Sequence, residues 1–107
     1  MLTTPFNQDK LDEFYYDLID EKGPSVLLFG ESSEQWTNQT LNFFTKNGIP
    51  IYFFGWSNAI ELRLQLELIR YPVIQLWGDK KLNSEIIGYK EEALEKLAKS
   101  YFKLKKG

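Results

Sequence analysis

Residues 25–29 (SVLLF) form an apolar segment with no alternating polar positions. A strand with one face in water alternates apolar and polar residues, whereas a continuous apolar run is typical of a strand covered on both faces. Two further segments, residues 49–56 and 73–77, are rich in β-branched and aromatic residues and are also predicted as strands. With 107 residues, the chain is expected to form one α/β domain spanning residues 1–107.

Segments with helical periodicity separate these strands. In the first segment, apolar side chains recur at the spacing of one helical face: Leu11, Phe14, Tyr15, Leu18 and Ile19. Asn7 or Asp9 is its candidate N-cap, and Gly23 followed by Pro24 ends it. The predicted helices cover approximately residues 9–21, 33–46, 58–69 and 90–103.

Residues 58–69 (NAIELRLQLELI) carry two conflicting patterns. Leucines at positions 62, 64, 66 and 68 alternate with polar residues, which is the period of a strand. The residue types are mostly helix formers, and Asn58 followed by Glu61 resembles a capping box, which favours a helix. The residues by themselves leave both interpretations open.

The last two strands are predicted to form an antiparallel hairpin. Residues 78–81 are its four-residue turn and residues 84–89 its second strand. The element order is then α-β-α-β-α-β-β-α, and a right-handed crossover makes the first two strands parallel neighbours. The expected architecture is a mixed four-stranded sheet with helices on both faces. Residues 2–6 are the candidate for a fifth, edge strand, against which Pro5 argues.

Two residue types are missing from the chain, and their absence excludes several kinds of chemistry. With no cysteine, there is no disulfide, no thiolate nucleophile and no thiolate metal site. With no histidine, the commonest metal ligand and the commonest general base near neutral pH are missing as well. The acidic residues follow solvated helix faces and helix N-termini and do not have calcium-loop spacing. We therefore predict no metal and no cofactor.

Charge and hydropathy argue against a nucleic-acid or membrane partner. The net charge is only −2, whereas nucleic-acid-binding domains usually carry a clear basic excess. The five lysines from Lys96 onward are explained by a final helix whose negative C-terminal end favours cations. No apolar run approaches the roughly 18 residues of a membrane span, and no signal-peptide pattern begins the chain. We expect a cytoplasmic protein.

Three local motifs resemble the thioredoxin family, in the family's order. Residues 26–36 look like its strand, turn and active-site helix, and residues 68–72 (LIRYP) are similar to its segment ending in a cis-proline. Residues 78–80 (GDK) with the later Ile87 and Gly88 look like its hairpin turn and following glycine. The resemblance implies a thioredoxin-like fold, a helix at residues 58–69 and a cis peptide bond between Tyr71 and Pro72.

The family's Trp-Cys-x-x-Cys motif would fall at residues 32–36 (SSEQW). Ser33 then takes the position of the attacking cysteine, and Trp36 that of the resolving one. Thiol–disulfide exchange requires two exchangeable sulfurs, so the oxidoreductase activity of the family is excluded. By itself, either serine of the turn, Ser32 or Ser33, is predicted simply to cap the helix.

The remaining hypothesis is a redox-inactive protein-binding or adaptor module. In thioredoxins the backbone before the cis-proline pairs with an extended peptide, which implies a groove here as well. The candidate partner-binding residues are Glu31, Ser32, Ser33, Trp36, Trp56, Tyr71 and Pro72, with Trp36 and Tyr71 as anchors. One alternative is a glutathione-binding or transferase-like module that uses Ser33. Another is a structural subunit of a homo-oligomer, and the oligomeric state is left open.

Overall fold

The computed structural model describes residues 8–106, with side chains from Lys10 onward. Its elements occur in the predicted order: α1 Gln8–Ile19, β1 Ser25–Gly30, α2 Gln35–Lys46, β2 Ile51–Gly55, α3 Ile60–Gln65, β3 Val73–Gly78, β4 Lys81–Ile87 and α4 Glu91–Lys106. The α/β class and the alternation of helices and strands are confirmed. The suggested edge strand at residues 2–6 and the candidate N-cap Asn7 lie outside the described residues, whereas the other candidate, Asp9, lies within α1 and is therefore not its N-cap.

The four strands form one mixed sheet in the order β2-β1-β3-β4. β1 pairs with β2 in parallel, as the crossover predicts, and with β3 in antiparallel orientation. β3 and β4 form the antiparallel hairpin. The predicted four-stranded mixed sheet is therefore confirmed for the described part of the chain.

Two separate apolar cores cover the two faces of the sheet. Residues 26 and 28 of β1 point to one face, where they pack with residues of α2 and α4. Residues 27 and 29 point to the other face, where they pack with residues of α1 and α3. β1 is buried at all six positions, as the uninterrupted apolar run predicts.

Helix α3 is shorter than the sequence predicts. It ends in a backbone motif for which the sequence contains no typical residue. It covers Ile60–Gln65 only, and Glu67 then adopts the left-handed conformation (φ 57°). The amide of Glu67 donates to Leu64, and that of Leu68 donates back to Arg63 (2.9 Å), which is the Schellman pattern. The predicted capping box is wrong, since the N-cap is Ala59 and no side chain caps the helix.

The hairpin turn also differs from the prediction. It consists of two residues, Asp79 and Lys80, both with positive φ (54° and 63°), and β4 begins at Lys81. Two-residue turns of this left-handed type match the twist of paired strands. The pairing shifts by one residue between Leu76 and Trp77 of β3, which is a bulge in β4.

A buried polar network crosses the sheet on the α1 side. Gln75 of β3 is 3% exposed, and its Oε1 accepts hydrogen bonds from the Tyr15 hydroxyl (3.1 Å) and the Trp77 indole N–H (2.8 Å). Its Nε2 donates to Glu85 Oε2 (2.8 Å). Burial is the main cause that raises the pKa of Tyr15 to about 12, assisted by repulsion from Tyr16 and Glu85.

The raised pKa of Tyr15 predicts a loss of stability in alkali. An unfolded tyrosine ionises near pH 10, whereas Tyr15 in the folded protein holds its proton to about pH 12. Its contribution is therefore complete below pH 10 and is lost as the pH rises to about 12. We expect the urea midpoint to fall over this interval by more in the wild type than in Tyr15→Phe, whose other titrating groups are the same. Equal falls in both proteins would contradict the assignment.

Candidate functional site

β1 and β2 end side by side at one edge of the sheet. Gly30 lies opposite Gly55 in their parallel register, so Glu31 and Trp56 follow as neighbours. The amide of Trp56 donates to the Gly30 carbonyl oxygen (2.8 Å), which fixes the two strand ends relative to each other. The carboxyl ends of adjacent strands in an open α/β sheet are the usual place for a ligand site.

β3 begins, and β4 ends, at this same edge. Phe29 lies opposite Val73 in the last pair of the β1–β3 register, so Glu31 and Tyr71 each lie two residues beyond that pair, at the same edge. On the far side of β3, the amide of Gly88 donates to the Pro72 carbonyl oxygen (2.7 Å). Tyr89, which follows Gly88, therefore leaves the sheet at this edge as well. The residues at the edge are Trp56, Glu31, Tyr71 and Tyr89.

In the Tyr71–Pro72 segment, the proline ring is buried, whereas the main chain of Tyr71 is open, that is, without a backbone hydrogen bond among the described residues. The peptide bond between the two residues is cis, and the proline is buried. Tyr71 is 38% exposed. Among the described residues, neither its N–H nor its C=O makes a backbone hydrogen bond.

Glu34, at the end of the turn between β1 and α2, is the N-cap of α2. The predicted cap by Ser32 or Ser33 is therefore wrong. The Glu34 carboxylate accepts the amides of Trp36 (2.7 Å) and Thr37 (3.0 Å). Ser32 and Ser33 are exposed on the preceding turn. Because glutamate already occupies two free amides at the start of α2, that helix end offers less to an anionic ligand.

Two aromatic pairs lie at the edge, and each joins an exposed ring to a half-buried one. Trp36, in the first turn of α2, stacks on Tyr89 with 5.0 Å between ring centroids and 23° between planes. Trp56 meets Tyr71 edge to face at 5.0 Å. Trp36 is 45% exposed, so the stack leaves much of the indole in contact with solvent. We call these residues the aromatic edge: Trp36, Trp56, Tyr71 and Tyr89, with the buried Pro72 beside Tyr71.

Charged groups of both signs border the aromatic edge. Glu31 accepts a hydrogen bond from the Ser57 hydroxyl (3.0 Å), which holds the carboxylate beside the β2 end. The guanidinium carbon of Arg63 lies 4.4 Å from the centre of a Trp56 ring, in cation–π contact. Among the side chains that the structure describes, no group of three acidic residues is placed to hold a metal ion. The helices of residues 8–106 include none with the length and apolar character of a membrane span.

The structure brings together most of the candidate partner-binding residues predicted from the sequence. Glu31, Trp56, Tyr71 and Pro72 meet at one edge. Trp36 reaches that edge through Tyr89, which sequence reasoning did not include in the site. The position of Tyr89, just after the last strand of a hairpin, is the signal that could have placed it there. No comparable signal points to Arg63 or Ser57.

The chain matches no protein-family model and no curated protein sequence. Solved structures are similar to it over most of its length. Mitochondrial thioredoxin 3 of Saccharomyces cerevisiae, in its oxidized form, has a TM-score of 0.73 and 23% identity over 92% of this chain and 94% of its own. Spinach chloroplast thioredoxin f has a TM-score of 0.67 and 13% identity, covering 90% of this chain and 89% of its own.

A third similar structure is the oxidised thioredoxin of Plasmodium falciparum, with a TM-score of 0.68 and 11% identity over 83% of this chain and 90% of its own. At these identities the similarity is one of fold. The protein is thus thioredoxin-like, has the thioredoxin fold and lacks the Cys-x-x-Cys motif, since its 107 residues include no cysteine. Without a thiol, thioredoxin-type exchange has no sulfur to use.

Proposed function

We propose that this cysteine-free thioredoxin fold is a redox-inactive protein-binding module that takes up an extended protein segment along the aromatic edge. The observation that carries the proposal is the main chain of Tyr71, which makes no backbone hydrogen bond among the described residues and lies beside the ring of Trp56. An extended segment that approached Tyr71 could use its N–H and C=O as a strand would. Main-chain pairing would supply register, and the rings would supply apolar contact area.

Each of the two anchors of this surface packs against a second ring of the protein itself. Trp36 is held by its stack on Tyr89, and Tyr71 by its edge-to-face contact with Trp56. Rings that are fixed in the free protein lose little side-chain entropy on binding. Tryptophan and tyrosine are also the residue types in which binding energy concentrates at protein interfaces.

We expect that binding does not lead to a covalent step. Ser33 is exposed, and the chain has no histidine to take a proton from its hydroxyl. A segment bound beside Ser33 would therefore be released unchanged. This distinguishes the proposed module from an oxidoreductase, whose partner forms a mixed disulfide in transit.

Replacing either anchor should weaken binding by about tenfold or more, because each ring contributes contact area next to the open main chain. A library of random nonapeptides displayed on phage is selected on the immobilised protein, and the best peptide is synthesised with a dye. Fluorescence anisotropy then gives the Kd of the wild type, Trp36→Ala and Tyr71→Ala. Phe102→Ala is the matched control, since Phe102 of α4 is a 39% exposed aromatic outside the aromatic edge.

Failure to select any peptide, or an unchanged Kd in both anchor variants, would refute the proposed function. A saturable change of tryptophan fluorescence with glutathione would instead favour the alternative based on Ser33, which the Glu34 cap disfavours on electrostatic grounds. A sedimentation coefficient that rises with protein concentration would favour the homo-oligomer.

A further inference from the structure

We propose that the segment bound at the aromatic edge carries an acidic side chain, which pairs with Arg63. This inference rests on the proposed function and adds the chemistry of the partner. Arg63 lies in α3, outside the residues that the sequence nominated. Its guanidinium is in cation–π contact with Trp56 of the aromatic edge.

The guanidinium lies against one ring of the aromatic edge. Its central carbon lies 4.4 Å from a Trp56 ring centre, and Trp56 in turn contacts Tyr71 at 5.0 Å. A strand-like segment paired with Tyr71 therefore passes one aromatic ring away from Arg63. Stacking on an indole leaves the edge of a guanidinium, which carries its N–H donors, directed away from the ring.

Arg63 has no anionic partner within the described part of the chain. Its Nε is buried and makes no hydrogen bond there, and no carboxylate among residues 10–106 lies within ion-pair distance of it. A partly buried cation without a counter-ion is unfavourable. A carboxylate can satisfy two guanidinium donors at once, with charge on both partners.

The acids that border the site are engaged elsewhere. Glu31 accepts from the Ser57 hydroxyl, and Glu34 accepts two amides of α2. Asp12 of α1 accepts from Gln65 Nε2 (3.0 Å) through Oδ2, while its Oδ1 is buried without a hydrogen bond among the described residues and lies beyond ion-pair distance of Arg63. The cation beside Trp56 is thus left for an external carboxylate, while Glu31 and Glu34 would disfavour acids at the α2 end of the segment.

The test uses the same random nonapeptides and compares the residues selected by four proteins. On the wild type we expect aspartate or glutamate to be enriched at one fixed distance from the apolar anchor of the peptide. On Arg63→Gln the enrichment should disappear. On Arg63→Lys, which keeps the charge but not the paired donors, it should weaken. Arg70→Gln is the matched control, since Arg70 is exposed and adjoins Tyr71 in sequence, and it should keep the enrichment.

Binding measurements give the size of the effect, and the comparison of two peptides on the wild type does not depend on a variant that folds. Replacing the selected acid of the peptide by its amide should raise the Kd for the wild type about tenfold, and should leave the Kd for Arg63→Gln unchanged. Peptides that require Trp36 and Tyr71 but show no acidic preference would overturn this inference and leave the proposed function standing. Loss of the enrichment in Arg70→Gln instead of Arg63→Gln would also overturn it. Failure to select any peptide would refute both.

Discussion

Phe54→Ala should lower the free energy of unfolding by about 3–5 kcal/mol, because it empties the centre of one of the two cores. Phe54 of β2 is fully buried and stacks on Phe29 at 4.9 Å, with Tyr15 6.0 Å away. A domain of this size is stable by only about 5–15 kcal/mol in total, so the loss is a large fraction. Urea unfolding followed by circular dichroism measures it. Phe54→Leu, which keeps most of the volume, should cost about 1 kcal/mol.

The damage from Phe54→Ala should be confined to one face of the sheet. Phe54 shares its core with Leu62 of α3, whereas Leu94 and Leu97 of α4 belong to the core on the other face. Native-state hydrogen exchange should therefore accelerate more at the amide of Leu62 than at those two amides. A loss below about 1 kcal/mol, or equal acceleration on both faces, would contradict the division into two cores.

The order of the elements was predictable because it depends on burial. The apolar run of β1, the helical faces and the turn residues each follow from a side chain's preference for water or core. The alternating leucines of residues 58–69 show where this reasoning ends. Leu62 is fully buried in α3, while Leu64 is 73% exposed and Leu66 and Leu68 are half-buried beyond the helix. Because α3 ends at Gln65, the leucines spaced two residues apart lie partly in the helix and partly beyond it. Their alternation therefore does not indicate a strand.

What ends α3 could not be predicted from residue preferences. The left-handed position after the helix is usually glycine, and here it is Glu67. The same applies to the hairpin turn, where Asp79 and Lys80 both adopt positive φ without a glycine between the strands. At both places the tertiary structure imposes a backbone conformation that the local sequence does not favour.

The candidate site was partly predictable, since strand register decides which residues meet at an edge. Glu31, Trp56 and Tyr71 follow from the strand assignments with no knowledge of side-chain packing. The cap of α2 was missed because serine is the stronger N-cap by preference, whereas Glu34 reaches the same amides with its longer side chain. Arg63 was missed because its contact with Trp56 depends on the residue at which α3 begins, and the sequence does not determine that residue.

Gly30→Ala should lower the free energy of unfolding by about 1–3 kcal/mol, because there is no room for a methyl group where β1 meets α2. A Cβ at Gly30 would lie 2.6 Å from Thr37 Oγ1 and 2.7 Å from its Cγ2. Thr37 is fully buried, and its hydroxyl donates to the Glu34 carboxylate (2.9 Å). Displacing Thr37 therefore disturbs the carboxylate that caps α2. Urea unfolding measures the loss, and Gly23→Ala, where no atom lies within 4 Å of the added Cβ, is the matched control.

The cause of that loss can be isolated with a second substitution. Thr37→Ala removes both of the closest atoms and leaves only the Thr37 Cβ, at 3.2 Å from the added methyl group. If the clash is the cause, Gly30→Ala should cost less in the Thr37→Ala background than in the wild type, so the two substitutions will not be additive. Additive losses, or a loss in Gly23→Ala equal to that in Gly30→Ala, would show that chain flexibility at the glycine is responsible instead. Position 30 would then tolerate a side chain. The turn between β1 and α2 would not depend on the close approach of Gly30 to Thr37.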